Sequence, residues 1–94
     1  MGAERIIFRV HAIRRMFQRR INVEDVRDVI TTGAVIENYP DDTPYPSQLI
    51  LGWRASRPLH VVAAFDVEEH EIIIVTVYEP NLNEWEPGFR MRKQ

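Results

Sequence analysis

Three side chains near the start of the chain have the types and spacing needed to handle a phosphodiester. His11, Arg15 and Arg19 occupy positions i, i+4 and i+8, which aligns them along one face of a helix. An arginine can form two parallel hydrogen bonds with a phosphate, and a histidine gains or loses a proton near neutral pH. Two plainer roles also fit: His11 can cap the start of the helix, and the arginines can pair with acidic side chains later in the chain.

A second group of candidate residues follows the most apolar segment of the sequence, Ile72–Val77. Tyr78 and Glu79 come directly after it, and Pro80 then prevents the strand from continuing. A phenol at this point can donate a hydrogen bond or stack, and a carboxylate can accept a proton. The candidate catalytic residues are therefore His11, Arg15, Tyr78 and Glu79. The candidate substrate-binding residues are Arg19, His60 and Arg90.

His60 and Trp85 have simpler interpretations as packed residues. His60 alternates with apolar positions of a predicted strand, so its side chain points to the same face as Val62 and Ala64. A histidine that is packed in the core, or that faces a partner, explains this position more simply than a catalytic one. Trp85 is interpreted as a core residue, since the chain has too few exposed aromatic side chains for a surface on which bases stack.

Apolar periodicity predicts two helices in the first third of the chain. After a short extended piece at residues 6–10, a helix is predicted over about residues 9–19. Its apolar side carries Ala12, Ile13, Met16 and Phe17. Asn22 predicts the start of a second helix, which ends at Gly33. The buried stripe of this helix consists of Val26, Val29 and Ile30.

The remainder of the chain is predicted to form strands joined by turns. The four predicted strands are residues 34–39, 48–53, 59–66 and 71–79. The proline-rich stretch 40–47 forms a loop between the first two, and short turns predict antiparallel pairing of the last three. The expected fold is α+β, with two N-terminal helices packed on one face of a four-stranded antiparallel sheet.

Length and composition limit the other classes of function. Ninety-four residues with 45% hydrophobic side chains predict a single domain over residues 1–94. The absence of cysteine excludes disulfides, thiolate nucleophiles and cysteine-based zinc sites. No apolar run approaches the roughly 20 residues of a membrane span, so a cytoplasmic location without membrane contact is expected. Because there is no glycine-rich phosphate loop and no HExxH spacing, neither a cofactor nor a metal is expected.

Charge is distributed unevenly along the chain, although the net charge is only -2. Residues 1–20 contain six arginines and one glutamate, and residues 90–94 contain three further basic residues. The segment between them is strongly acidic. Basic patches of this kind can bind phosphates even on an acidic protein, and the plainer interpretation is a solvated helix face.

Several spaced motifs together resemble those of domain of unknown function 4258, a family similar to the BrnT and RelE/ParE-type toxins of bacterial toxin-antitoxin pairs. The motifs are His11-Ala12-x-x-Arg15-Met16-x-x-Arg19-x-Ile21, a helix ending at Gly33, and the segments YPDDTPYPS, RPLHVV and TVYEP followed by Trp85. The resemblance implies a small RelE/BrnT-like α+β fold with helices on a four-stranded antiparallel sheet. It also implies a neutralising partner, the cognate antitoxin. Arg20 stands where this family commonly has glycine.

The expected function is that of a toxin-like component of a bacterial type II toxin-antitoxin pair, a metal-independent ribonuclease acting on RNA, free or on the ribosome. In this hypothesis Tyr78 and Glu79 face His11 and Arg15 across one cleft. The alternative is a non-catalytic interaction module that forms a homodimer or docks a partner protein. It is favoured by the acidic net charge, which is unusual for a protein that grips RNA.

Overall fold

A computed structural model describes residues 4–94 and shows two helices and one five-stranded sheet in this range. The strands lie side by side in the order β1-β5-β4-β3-β2. The elements are β1 (Arg5–Phe8), α1 (Val10–Gln18), α2 (Val23–Thr32), β2 (Ala34–Tyr39), β3 (Ser47–Arg54), β4 (Arg57–Asp66) and β5 (Glu71–Tyr78). None of the helices in residues 4–94 is long and apolar enough to cross a membrane.

The predicted four-stranded antiparallel sheet is wrong, because β1 adds a fifth strand in parallel orientation. β1 pairs with β5 from Arg5 opposite Glu71 to Phe8 opposite Ile74. The other neighbouring strands pair antiparallel. A parallel pair needs a long connection, and here nearly the whole domain lies between the two strands. Four residues that run straight into a helix give no local signal for such a distant partner.

The other predicted elements are confirmed with small changes at their ends. Asn22 precedes α2, and its backbone N–H donates to the side chain of Asp25 at 2.9 Å. Gly33 ends α2 in an extended conformation, with φ at -76°. Glycine is required there for space, since a Cβ would lie 2.5 Å from the carbonyl oxygen of Val29. The turn between β3 and β4 shortens to two residues, so β4 begins at Arg57.

One face of the sheet carries both helices over the main hydrophobic core. α1 packs against β5, and α2 packs against β3 and β4. Ala12, Met16, Val26 and Val29 are the buried helix residues of this core. Their sheet partners include Ile50, Leu59, Val61, Ile74 and Val77. α1 contacts mainly β5, and only Ala12 and Met16 of this helix are buried, so its covered face is narrow.

Two residues on the predicted apolar side of the first helix are exposed to solvent. Ile13 is 46% exposed and Phe17 is 85% exposed, whereas Ala12 and Met16 are buried. Residues four apart lie directly above one another on a helix, so Ala12 and Met16 together fill the contact with β5. Ile13 and Phe17 are rotated out of it. The sequence pattern gives the amphipathic character of α1 correctly but not the width of its buried face.

The C-terminal segment, residues 79–94, packs on the opposite face of the sheet around His60 and Trp53. Trp85 is 1% exposed, and its ring meets that of His60 at 4.4 Å between centroids. Phe89 packs edge-on against Trp53. The interpretation of Trp85 as a core residue is therefore confirmed. Around His60 the central strands are therefore buried on both faces, by the helices on one face and by the tail on the other.

Candidate functional site: a cleft at the end of the fifth strand

An open cleft lies where β5 ends, and we call it the β5 cleft. Its volume is about 570 Å³. The cleft is lined by Arg19, Arg57, Tyr78, Glu79, Asn81 and Glu84. Pro80 ends the strand ladder at this point, so the chain turns away from the sheet and leaves an open corner beside the C-terminal end of α1.

Arg57 is the most constrained cation in the β5 cleft. Its Nη1 and Nη2 donate to the carbonyl oxygens of Arg20 at 2.8 Å and Arg19 at 2.6 Å. Its Nε donates to Oε1 of Glu79 at 2.6 Å. The last carbonyls of a helix have no partner within the helix, and a cation there is favoured by the helix dipole. Arg57 therefore joins α1 to the end of β5 and holds Glu79 in place.

Arg19 keeps most of its donors available in the same cleft. It follows the last turn of α1, and its Nη1 donates to the carbonyl oxygen of Val77 at 2.6 Å. A guanidinium has five N–H donors, so this single bond orients the group without exhausting it. The guanidinium can therefore still form a paired contact with an anion.

Glu79 offers the cleft a carboxylate with one constrained and one available oxygen. Oε1 accepts from Arg57, and the Glu79 side chain is 47% exposed. Glu84 contributes a second carboxylate to the lining. With two arginines and two glutamates, the β5 cleft is close to charge neutrality, so it attracts an anion only through the local orientation of its arginines.

Tyr78 connects the β5 cleft to a group of side chains at the C-terminal segment that is buried at its centre and partly exposed at its edge. We call this group the tail cluster; its members are Glu37, Tyr39, His60, Tyr78, Trp85 and Arg92. His60 is fully buried. Its Nδ1 lies 3.1 Å from the Tyr78 hydroxyl, and its Nε2 lies 2.8 Å from the carbonyl oxygen of Phe89.

These two contacts define the tautomer of His60. A carbonyl oxygen can only accept, so Nε2 carries the hydrogen and donates to Phe89. Nδ1 is then the acceptor and receives the Tyr78 hydroxyl hydrogen. Burial lowers the pKa of His60 and raises the pKa of Tyr78, because both charged forms lose solvation. His60 is neutral and Tyr78 is protonated at neutral pH.

Glu37 and Arg92 form the charged edge of the tail cluster. Arg92 donates to both carboxylate oxygens of Glu37, from Nε at 3.0 Å and from Nη2 at 3.2 Å, and stacks over the Trp85 ring at 4.6 Å. Tyr39 also donates to Glu37. Burial opposes ionisation of Glu37, but the hydrogen bonds from Tyr39 and Arg92 hold its pKa below the usual value. These contacts attach the C-terminal segment to β2.

The structure brings some of the predicted site residues together and separates others. Arg19, Tyr78 and Glu79 meet in the β5 cleft, whereas His11 and Arg15 do not line it. The expectation that His11 and Arg15 meet Tyr78 and Glu79 in one cleft is therefore wrong. Eight residues at 1.5 Å each place His11 about 12 Å along the helix axis from Arg19. Of the three aligned residues His11, Arg15 and Arg19, only Arg19 therefore reaches the cleft.

The other two predicted substrate-binding residues, His60 and Arg90, lie outside the β5 cleft. His60 points away from it into the tail cluster and has no exposed surface. Arg90 is exposed on the C-terminal segment and is not among the cleft residues. Of the predicted substrate-binding residues, only Arg19 faces the open cleft directly, and His60 is connected to it through the Tyr78 hydroxyl.

Three cleft residues were not predicted from the sequence: Arg57, Asn81 and Glu84. The signal for Arg57 was present in the pairing of β4 with β5. Once His60 is placed opposite Tyr78, Arg57 must lie at the same end of the sheet as Glu79, because successive pairs of an antiparallel hairpin advance in step. Asn81 and Glu84 lie after the last strand, where no periodic pattern fixes their position.

No group of three or more histidine, aspartate or glutamate side chains in residues 4–94 is arranged to hold a metal ion. The functional groups of the β5 cleft are guanidinium, carboxylate, amide and phenol. Such a set can bind a phosphate or a carboxylate and can accept one proton at Glu79.

This α+β domain, with its open charged cleft at the end of β5, was compared with known families and structures. The family described as Domain of unknown function (DUF4258) matches residues 8–79. Because the match covers more than half of the chain, the protein belongs to this family. The matched segment includes Arg19, Arg57, Tyr78 and Glu79 but not Asn81 or Glu84. No curated protein and no solved structure shows a significant match to the chain.

Proposed function

We propose that the protein is a toxin-like component of a bacterial type II toxin-antitoxin pair and cleaves RNA without a metal at the β5 cleft. The observation that carries this proposal is the placement of Arg19 and Arg57 beside the Glu79 carboxylate in one open cleft. Cleavage of RNA by its own 2′-hydroxyl needs a base and a cation at the phosphate. Arg19, Arg57 and Glu79 can fill these roles.

In the proposed reaction, Oε2 of Glu79 removes the proton of a ribose 2′-hydroxyl. The 2′-oxygen attacks the adjacent phosphorus, the bond from phosphorus to the 5′-oxygen breaks, and water protonates the leaving oxygen. Arg19 and the remaining N–H groups of Arg57 stabilise the negative charge that develops on the phosphorane. The products are a 2′,3′-cyclic phosphate and a 5′-hydroxyl.

Tyr78 positions the substrate rather than transferring protons in this mechanism. Its hydroxyl hydrogen is directed to Nδ1 of His60, and its raised pKa keeps it neutral. The hydroxyl oxygen can accept a hydrogen bond from the ribose or base. Arg15 and His11 lie on the same face of α1 as Arg19, one and two turns further from the cleft. We assign them to the flanking phosphates of the RNA strand.

The proposal includes a likeness to the BrnT and RelE/ParE-type toxins, an antitoxin protein as neutralising partner, and action in the cytoplasm on RNA that is free or bound to the ribosome. It rests on the motifs quoted above and on the cleft.

The experiment that tests the proposal combines growth and cleavage assays. Expression of the chain alone should arrest bacterial growth, and the purified protein should cleave RNA in the presence of a chelator. Glu79→Gln and Arg19→Met should each reduce the cleavage rate by about 100-fold or more, the usual scale for a lost base or charge-stabilising group. Arg15→Ala and His11→Ala should reduce it less, since they act on flanking phosphates.

Matched substitutions outside the cleft separate catalysis from general charge effects. Glu68 lies in the turn before β5, and Arg27 lies on the exposed side of α2. The control variants are Glu68→Gln and Arg27→Met. Both should retain full activity. The proposal fails if the wild-type protein neither arrests growth nor cleaves free or ribosomal RNA, or if the control variants lose as much activity as the cleft variants.

A second candidate function is that of a non-catalytic interaction module. It is favoured by the near neutrality of the β5 cleft and by Arg57, whose three recorded hydrogen bonds all remain within the protein. In that case the cleft is a structural joint between α1 and β5. Partner binding by wild-type protein that has no ribonuclease activity, and that is unchanged by Glu79→Gln, would support this candidate over the first.

A further inference from the structure

The side of α1 that faces solvent carries an unusual row of large apolar side chains. Val10 is 68% exposed, Ile13 is 46% exposed and Phe17 is 85% exposed. At about 100° per residue these three positions lie within roughly 60° of one another. We call this row the α1 stripe. Exposed apolar residues are common singly, but three on one ridge of a nine-residue helix form a continuous surface.

The formally charged side chains of α1 and of the residues next to its two ends are all positive. Arg14 lies about 40° from Val10 around the helix, and Arg9 and Arg20 lie beyond its two ends. The helix itself contains no acidic residue. Within residues 4–94, the arginines at positions 9, 14, 15 and 20 form no ion pair, although five other arginines do.

We infer that the α1 stripe docks an acidic amphipathic helix of a partner protein. The spacing i, i+3, i+7 forms a ridge parallel to the helix axis, and the element that best covers such a ridge is a second helix with its own apolar seam. Arg14 on the flank of the ridge and Arg9 and Arg20 at its ends complement glutamate and aspartate on the flanks of that helix. This inference is independent of the chemistry of the β5 cleft.

A second copy of the chain fits this surface poorly. A twofold homodimer brings the same patch of both subunits together, so Arg14 and its neighbours would face their own copies. Like charges placed across an interface cost binding energy. RNA also fits poorly, because Phe17 is the only member of the stripe on which a base could stack.

A membrane surface is the remaining alternative. Helices that lie in a membrane interface bury a broad apolar face. The α1 stripe is narrow, and the opposite side of the helix is fixed to the sheet through Ala12 and Met16. The partner helix is therefore the occupant that matches both the shape and the charge of the stripe.

Fluorescence anisotropy with designed peptides tests this inference on the 94-residue chain. The probe is a labelled synthetic helix with leucines at the a and d positions and glutamates elsewhere. A second peptide carries lysines in place of the glutamates. The wild-type protein should bind the acidic peptide and not the basic one, and the affinity should fall as salt rises.

Variants of exposed residues locate the binding surface. Phe17→Ala should weaken binding of the acidic peptide about tenfold, as expected for loss of a large aromatic anchor. Arg14→Glu should weaken it about fivefold through charge reversal. The matched controls are Met91→Ala, which removes an apolar side chain that is 68% exposed on the tail, and Arg27→Glu on α2. Both should bind as the wild type does.

Several outcomes would overturn the inference. These are failure of the wild-type protein to bind the acidic peptide, equal binding of the basic peptide, and unchanged binding by Phe17→Ala. Self-association that Phe17→Ala abolishes in sedimentation would show a homodimer surface instead. Binding to phosphatidylglycerol vesicles or to single-stranded RNA that depends on Phe17, without binding of the acidic peptide, would assign the stripe to a membrane or to RNA.

Discussion

On one side of Tyr78 lies the β5 cleft, where Arg19 and Glu79 keep hydrogen-bonding capacity that the protein does not use. On the other side lies the tail cluster, where both ring nitrogens of His60 are engaged and no buried side-chain nitrogen or oxygen of the described residues lacks a partner. The two regions use similar residue types. They differ in exposure and in how completely their polar groups are satisfied.

The difference separates residues that stabilise the fold from residues available to a ligand. A buried polar group that loses its partner is costly, so the tail cluster should respond to substitution mainly through stability. A half-exposed group can exchange a protein partner for water, so the β5 cleft should respond mainly through binding or activity. Unfolding measurements can therefore test the assignment of each residue without any knowledge of the substrate.

The largest expected effect on stability is that of Trp85→Ala. Trp85 is almost fully buried and contacts the imidazole ring of His60 and the guanidinium of Arg92. Its truncation should lower the free energy of unfolding by about 3–5 kcal/mol, measured by urea denaturation. Trp53→Ala is the matched control, since Trp53 is 50% exposed, and it should cost clearly less. Equal losses at the two positions would show that the tail does not cover a true core.

The next effect is a dependence of stability on pH that originates at His60. Burial lowers the folded-state pKa of His60, so below about pH 6.5 the unfolded chain binds a proton that the folded protein excludes. The contribution of neutral His60 to the free energy of unfolding is therefore fully present above this pH and is lost as the pH falls. The free energy of unfolding then decreases with a slope that approaches about 1.4 kcal/mol per pH unit.

Urea denaturation between pH 7.5 and pH 5 should show this decrease in the free energy of unfolding, with a slope that corresponds to the uptake of about one proton on unfolding. His60→Gln lowers stability at pH 7.5 and flattens the curve, because the amide does not titrate. His11→Gln, on the exposed side of α1, is the control and keeps the slope. A flat curve for the wild-type protein would contradict the burial of a neutral histidine under the tail.

The sequence predicts most elements of the fold because their signals are local. The buried stripe of α2 and the long apolar run of β5 repeat over enough residues to exclude other structures. Trp85 is predictable as a core residue because the chain offers too few exposed aromatic side chains for a surface on which bases stack. β1 is not predictable in the same way, because its partner lies more than sixty residues away and its four residues do not repeat a pattern.

The candidate site is less predictable than the fold because it depends on which faces meet. The i, i+4, i+8 spacing correctly aligns His11, Arg15 and Arg19, but only contact with β5 decides which of them reaches Tyr78. The exposure of Phe17 has the same cause, since the width of the contact between α1 and the sheet is a tertiary property. Arg57 enters the cleft through strand register, which needs the exact turn lengths on both sides of β4.

A smaller effect is expected at the charged edge of the tail cluster. The Arg92 side chain is 57% exposed and that of Glu37 is 25% exposed, so solvent screens their ion pair. A double-mutant cycle with Arg92→Met and Glu37→Gln should give a coupling energy of about 1 kcal/mol or less. A coupling energy well above that value would place this pair among the buried parts of the cluster.

The smallest effect on stability is expected for Glu79→Gln in the β5 cleft. The substitution removes the charge that pairs with Arg57 but keeps an oxygen that can accept from its Nε, and the Glu79 side chain is 47% exposed. The free energy of unfolding should change by no more than about 0.5 kcal/mol.

Asp25→Asn is the matched control, because Asp25 also pairs with an arginine, Arg54 at 2.9 Å, but is buried. Asp25 accepts from the Asn22 backbone at the start of α2, so its substitution should cost about 1–2 kcal/mol. If Glu79→Gln destabilises the protein as much as Asp25→Asn does, Glu79 is a structural joint between α1 and β5, and the cleft loses its proposed base.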